Sequence, residues 1–453
     1  MKWLDRMRGM RTFTTVWLGQ VASQLGTGLT GFGLGVYVFE RTHSVTLFGL
    51  LIFAASLPSL VLMPLSGALV DRWDRRRVMI VADVGSGICT VGLAALLWAG
   101  TLQVWQICAM MALLTVFGEL QMLAFGASIA LLVPREHLGR ASGLLQTGAS
   151  ATQILSPVVA GILVQTIGLR GVLLIDFCTY GVAIATTLAV RFPTLRREGA
   201  RRTEGLRRDA AYGWRFIVAR PGLLGLLAFF CAVYFAHSLG SVLFTPLALS
   251  FTTAAGLGVV LSVGSVGGVV GGMLMSTWGG PRRRVAGALA AGCLTGASMM
   301  LAGARPSVAV MGAGFFGMFA TMPILLGSLQ VVWQTKTPLE AQGRVFAIRR
   351  MIPSAMALPA YLLAGPLADR VFEPMLARGG ALSASVGAVI GVGPGRGVGF
   401  LFVLAGLVPI VAALAVWLSP RVRNAEAELP DALPEPAPVR EPRVVPQPEA
   451  VPA

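Results

Sequence analysis

Charge is scarce in this chain. Asp, Glu, Lys and Arg make up only 12% of its 453 residues, about half the share expected of a soluble domain. Lysine is nearly missing, with Lys2 and Lys336 the only two, so the basic charge is almost all arginine. The five cysteines (Cys89, Cys108, Cys178, Cys231 and Cys293) all fall in apolar segments without metal-ligand spacing. That pattern gives no reason for a metal site or a disulfide framework, and they read as small buried hydrophobes. No GxxxxGK[ST] loop, HExxH pair or convincing nucleophile–base pair is present, so an enzyme is not expected, nor any cofactor.

What the chain has instead is apolar residues, 55% of the total, with a mean hydropathy of +0.75. A soluble protein of this composition would lack the polar surface to stay dispersed, and a lipid bilayer is the solvent that resolves the mismatch. The 56 glycines suit close helix packing inside a membrane, where small residues let backbones approach. Apolar runs fall at roughly 12–38, 45–70, 78–99, 104–132, 141–166 and 171–192. They resume at 222–246, 255–278, 285–303, 308–333, 347–372 and 398–419. Each is long enough to cross about 30 Å of hydrocarbon as a helix. The first run is long and leads straight into further spans, unlike a cleavable signal peptide.

The distribution of arginine predicts orientation. With a cytoplasmic N-terminus, twelve spans leave only Arg41, Arg170, Arg305, Arg370, Arg378 and Arg396 on the outer face, and the other 30 of the 36 basic residues lie inside. Both termini are then cytoplasmic. The net charge of +16 is accounted for by these loops, and no nucleic-acid partner is expected.

An arginine-rich break divides the spans six and six. The expected units are an N-terminal six-helix bundle at 1–192, a cytoplasmic linker at 193–220, a C-terminal bundle at 221–420 and a disordered Pro-rich tail at 421–453. Sliding the first half by about 204 residues places Gly139-Arg140 on Gly343-Arg344 and Ala160-Gly161 on Ala364-Gly365. With a short gap, Arg75–Arg77 falls on Arg282–Arg284. Parallel repeats of this kind occur in major facilitator transporters.

Between the second and third runs the chain reads Gly67-Ala-Leu-Val-Asp71-Arg72-Trp-Asp74-Arg75-Arg76-Arg77. This resembles the major facilitator signature G-x-x-x-D-R-x-G-R-R-R, with Asp74 at its second glycine. Asp71 at a helix end can meet the partial positive charge of a neighbouring helix N-terminus, while the arginines bind carboxylates or lipid phosphates. Gly67, Asp71, Arg72, Arg75, Arg76 and Arg77 are therefore the candidate conformational latch. The fifth run, with Gly143, Thr152, Ser156-Pro157 and Ala160-Gly161, resembles the family's antiporter motif with small residues at three glycine positions. Gly143, Ser156, Pro157, Ala160 and Gly161 are the expected packing positions. Leu18-Gly19-Gln20, Pro134–Ala141 and Gln334–Phe346 resemble the branch of enterobactin and macrolide exporters. The resemblance, over about residues 10–420, implies an all-α membrane protein of twelve transmembrane helices in two pseudo-symmetric bundles. It also implies secondary active export of a small amphipathic molecule (siderophore, peptide natural product or drug) by alternating access, with proton antiport, from a bacterial inner membrane. The expected partners are that small molecule and the lipid bilayer, with the chain a monomer. An importer of a small nutrient, or a transport-inactive scaffold or receptor using the tail, are the alternatives.

An ionisable group in the bilayer costs about 2.5–3.5 kcal/mol by insertion scales, so each one needs a reason. Glu119, near the middle of the fourth run, and His237, near the middle of the seventh, lie on helices that line the central cavity in the family. Glu119 is the candidate proton-coupling carboxylate, and His237 can titrate near neutral pH. Gln20 and Gln24, four apart on the first run, share a face that should meet the cavity with Gln121. Asp83 and Asp176 read as nearer helix ends, with structural partners in water or loop arginines. In the tenth run Phe315, Phe316, Met318, Phe319 and Met322 offer an adaptable apolar wall. Pro157, Pro323, Pro353 and Pro359 can kink helices that flex.

Overall fold

The computed structural model describes residues 2–62, 74–133, 138–190 and 206–429. Gly67, Asp71, Arg72, the 134–137 break, linker residues 193–205 and the tail beyond 429 lie outside them. The first half holds α1 (Lys2–Thr42), α2 (Val45–Leu62), α3 (Arg75–Trp98), α4 (Val104–Leu132), α5 (Leu138–Thr166) and α6 (Gly168–Ala189). A linker helix α7 (Leu206–Val218) follows, then α8 (Pro221–Leu249), α9 (Ala254–Trp278), α10 (Arg284–Ala304), α11 (Val308–Lys336) and α12 (Leu339–Leu367). A π-helical turn (Ala368–Phe372) carries α12 on into α13 (Glu373–Leu376). Short α14 (Val386–Ile390), the long α15 (Arg396–Leu418), α16 (Pro420–Arg423) and α17 (Ala425–Glu428) complete the described chain.

Eleven of the described helices are long and apolar enough to cross a membrane. The expected first span, α1, has the length but is diluted by Gly, Thr and Gln, because much of it packs against protein rather than lipid. The sequence repeat is visible as packing. In the first half α1 packs on α5 and α6, α4 on α2 and α3, and α3 on α6. The second half repeats each pairing: α8 with α12 and α15, α11 with α9 and α10, α10 with α15. The two most extensive pairings that cross between halves are α5 with α9 and α2 with α12, and exchanging the halves converts one into the other.

These seams explain the matched glycines. A Cβ on Gly161 would come within 2.7 Å of the Ala254 carbonyl oxygen, and one on Gly258 within 2.9 Å of that of Pro157. On the other seam, a Cβ on Gly49 would lie 2.7 Å from the Tyr361 carbonyl oxygen, and one on Gly365 would strike the Thr46 backbone. Gly161 and Gly365, 204 residues apart, thus do the same job at equivalent crossings, letting two backbones meet.

The segment 421–453, expected to be disordered throughout, begins as packed helix. Val422, Ala425 and Leu429 join the apolar cluster at the start of α8 and the end of α11, and Lys336 Nζ donates to the Leu429 carbonyl at 2.6 Å. Apolar residues at i, i+3 and i+7 give these turns a face to bury before the Pro-rich stretch removes it. Helix α7 is likewise ordered. Phe216 and Ile217 enter the same cluster, and the Arg344 guanidinium lies 5.1 Å from the Tyr212 ring centroid.

Candidate functional site

Between the halves lies a cavity of about 310 Å³. Its wall comes from α1 (Gly31, Phe32, Gly35, Val36), α2 (Phe48, Leu51, Ile52, Ala55) and Met111 of α4. The second half adds His237, Gly240, Ser241, Phe244 and Thr245 of α8, Leu261 of α9, and Phe315, Met318 and Phe319 of α11. Phe315 is the hub of its aromatic side, 4.1 Å from the Phe244 centroid and 6.1 Å from that of Phe319. His237 meets the Phe319 ring edge-on at 6.2 Å, and its buried Nδ1 has no hydrogen-bond partner among the described residues. Of the predicted apolar wall on α11, Phe315, Met318 and Phe319 reach the cavity. Phe316 backs its carbonyl onto Gly267, and Met322 packs in the cluster around α8 and α10.

The cavity draws on the last third of α1 and the first turns of α2, so it sits just beneath one end of the molecule, the end away from where α1 begins. At that far end the halves are tied together. Asp369, in the π-helical turn after α12, accepts four hydrogen bonds from the N-terminus of α2: Ser44 Oγ at 2.9 Å, Val45 N at 3.1 Å, Thr46 N at 2.9 Å and Thr46 Oγ1 at 2.8 Å. The first N–H groups of a helix have no intrahelical acceptor and carry a partial positive charge. A carboxylate from the other half therefore caps α2.

The remaining predicted polar residues are not cavity-lining. Glu119 is half-buried and accepts from Ser59 Oγ at 2.7 Å, bridging α4 to α2. Gln20 is buried and turned into its own bundle, where its Nε2 donates to Asp83 Oδ2 at 3.3 Å; Gln121 Nε2 donates to the same oxygen at 3.4 Å. Gln24 is exposed. The shared helical face held only approximately, because residues four apart differ by some 40° around a helix, enough for Gln20 to reach Asp83. Asp83 and Asp176 are not near water: they are 2% and 0% exposed, with amide and hydroxyl partners in place of loop arginines. Asp176 Oδ2 accepts from Thr30 Oγ1 at 2.6 Å and Thr90 Oγ1 at 3.3 Å. Spacing could have found this cluster: Gln20, Thr27 and Thr30, Asp83 and Thr90, Asp176 and Tyr180 each repeat at three, four or seven residues.

The family model of the Major Facilitator Superfamily matches residues 16–358. This chain belongs to that superfamily. It is a multi-pass membrane transporter with relatives named for efflux. It is 27% identical over 371 residues to macrolide efflux protein A of Streptococcus pyogenes, covering 79% of this chain and 90% of that one. It is 26% identical to an enterobactin exporter of Shigella boydii (76% and 82% covered) and 27% to a multidrug efflux pump of Mycobacterium bovis (76% and 84%). Among solved structures, a bacterial homologue of the human lysosomal transporter Spinster, inward-facing and unoccupied, matches with TM-score 0.67 at 14% identity, over 92% of this chain and 98% of that one.

Within this superfamily signature, Asp74 departs from glycine for a local reason. Its φ of −65° needs no left-handed residue, and its side chain accepts from Arg77 N at 3.1 Å as the N-cap of α3. Arg76 donates to the Leu188 carbonyl at 2.7 Å and the Thr187 carbonyl at 3.3 Å, satisfying the open C-terminus of α6 within the same half. Arg75 and Arg77 open α3 beside it. Of the antiporter-motif positions, Pro157 and Gly161 form the α5–α9 seam, Ala160 is fully buried, and Ser156 faces Gly28 of α1. Among the described residues, nothing lies within 4 Å of a Cβ added at Gly143.

Proposed function

We propose that the chain exports a small amphipathic molecule from a bacterial cytoplasm by alternating access, driven by proton antiport. The observation that carries the reading is an apolar, aromatic-walled cavity at the junction of the two halves, beneath an end closed by two glycine seams and a carboxylate cap. With both termini cytoplasmic, that closed end is the outer one and the arrangement is inward-facing. The efflux names of the relatives support export, and their bacterial sources support an inner-membrane location. Glu119 is the proposed site of proton exchange, and Asp71 the proposed residue of the conformational latch. The transporter works as a monomer on a lipophilic cargo, a drug-like or natural-product molecule.

The test is accumulation of labelled erythromycin and of ethidium by an efflux-deficient bacterium expressing the chain. Expression should lower accumulation of at least one, and a protonophore should restore it. Glu119→Gln should restore it as fully while leaving the protein in the membrane. Unchanged accumulation of both probes, or raised accumulation reversed by the protonophore, would count against export.

A further inference from the structure

The cavity and the far-end cap leave one feature unused: the polar seam buried inside the first half. From α1 it contains Gln20, Thr27 and Thr30, from α3 Asp83 and Thr90, and from α6 Asp176 and Tyr180. Thr27 Oγ1 and the Tyr180 hydroxyl are 2.8 Å apart, and Ser86 of α3 is also a hydrogen-bond partner of Tyr180. Nothing comparable occupies the second half, since α10 and α15, the counterparts of α3 and α6, contain no acid. Bundle packing alone therefore does not require it.

We propose that Asp83 and Asp176 are a proton-holding pair, a second exchange site lying one layer behind the cavity wall. A buried carboxylate is tolerated when paired with a cation or when neutral. Here the hydrogen-bond partners of both are amides and hydroxyls. Asp176 Oδ1 is buried with no partner among the described residues. The groups facing the pair are Gln20, Thr27 and Thr30 from α1, Gln121 from α4, and the Tyr180 phenol from α6. Glu119 of α4 turns to α2, and Arg76 is engaged with the end of α6. The step is simple: an O–H bond forms on a carboxylate oxygen when a proton arrives from water and breaks when it returns, with no other bond changed.

The wall between Asp176 and the cavity is α1. Thr30, which donates to Asp176, precedes the cavity residue Gly31. A Cβ on Gly26 would lie 2.7 Å from Asp176 Oδ1, so only glycine lets α1 seat over it. Sliding of α1 between the two access states would break the Thr30 bond and open the carboxylate, coupling proton exchange to the cavity.

The proposal rests on the proton-coupled reading above, but its test needs no cargo. Infrared pH-difference spectra of the purified chain in lipid nanodiscs read the C=O stretch of protonated carboxyl groups. The expected result is a protonated-carboxyl band that titrates, loses intensity in Asp83→Asn and in Asp176→Asn, and survives in Glu119→Gln and Asp369→Asn. Should an Asn variant fail to fold, Asp83→Glu and Asp176→Glu should move the band in frequency. A titrating band unchanged in these variants, or no titrating band at all in the folded wild type, overturns the proposal. A band that behaves as expected in a wild type that exports neither erythromycin nor ethidium would instead count against the transport reading alone.

Discussion

Asp369 Oδ2 accepts from both the backbone N–H and the hydroxyl of Thr46, at 2.9 and 2.8 Å, across 323 residues of sequence and the interface between the two halves. It caps α2 from the partner bundle, so the cap exists only while the far end is closed. Replacing an N-cap costs about 0.5–2 kcal/mol, roughly a 2- to 30-fold change in an equilibrium constant. Asp369→Ala should shift the population toward far-end-open by that factor. Distances between spin labels on the far ends of α2 and α12 would report it, and an unchanged distribution would reduce Asp369 to a passive contact. Asp71→Asn, in the signature-like stretch between the second and third apolar runs, should shift it the other way.

Gly161→Val and Gly365→Val should each obstruct far-end closure, since the new side chain meets backbone rather than a flexible tip. Overpacking of this kind typically costs about 1–3 kcal/mol, all of it charged to the closed state. Transport should fall sharply while thermal unfolding stays near wild type. Cysteine probes in the cavity wall should become more reactive from the far side. Transport at the wild-type rate by both variants would mean the seams separate little during the cycle.

His237→Leu should stabilise the empty protein and weaken cargo binding. An unsatisfied buried polar atom costs about 1–3 kcal/mol, so removing Nδ1 should raise the melting temperature. A cargo donating a hydrogen bond to Nδ1 would lose about 1 kcal/mol, roughly fivefold in affinity. A lower melting temperature would show that His237 is satisfied in the unoccupied protein.

Two truncations separate the tail into parts. Ending the chain after Leu429 should leave stability and transport intact. Ending it after Arg423 removes Ala425 and Leu429 from their cluster and the Leu429 carbonyl from Lys336, and should lower the melting temperature. Equal melting temperatures for the two would mean that α17 contributes nothing.

Much of the fold is legible in the residues because the bilayer demands it: apolar runs of fixed length, and a repeat offset that returns as matched packing of Gly161 and Gly365. The candidate site is legible only in part. Phe315, Met318, Phe319 and His237 reach the cavity because their helices line it. Gln20 and Asp83 were misjudged because position along a helix does not say which neighbour a side chain meets. Asp369 lies in Gly365-Pro-Leu-Ala-Asp369-Arg370, which repeats the G-x-x-x-D-R pattern of Gly67–Arg72, but its partner is a helix end rather than a residue type, so the pattern does not name what it meets.

Composition and periodicity therefore determined the medium, the span pattern and the two-fold repeat, while the Gly67–Arg77 motif pointed to the family by resemblance. Tertiary structure decided which carboxylates are buried together, which end is closed and what closes it. Those depend on contacts between residues from about forty to more than three hundred positions apart. They arise only when separate helices are brought together, which no local pattern encodes.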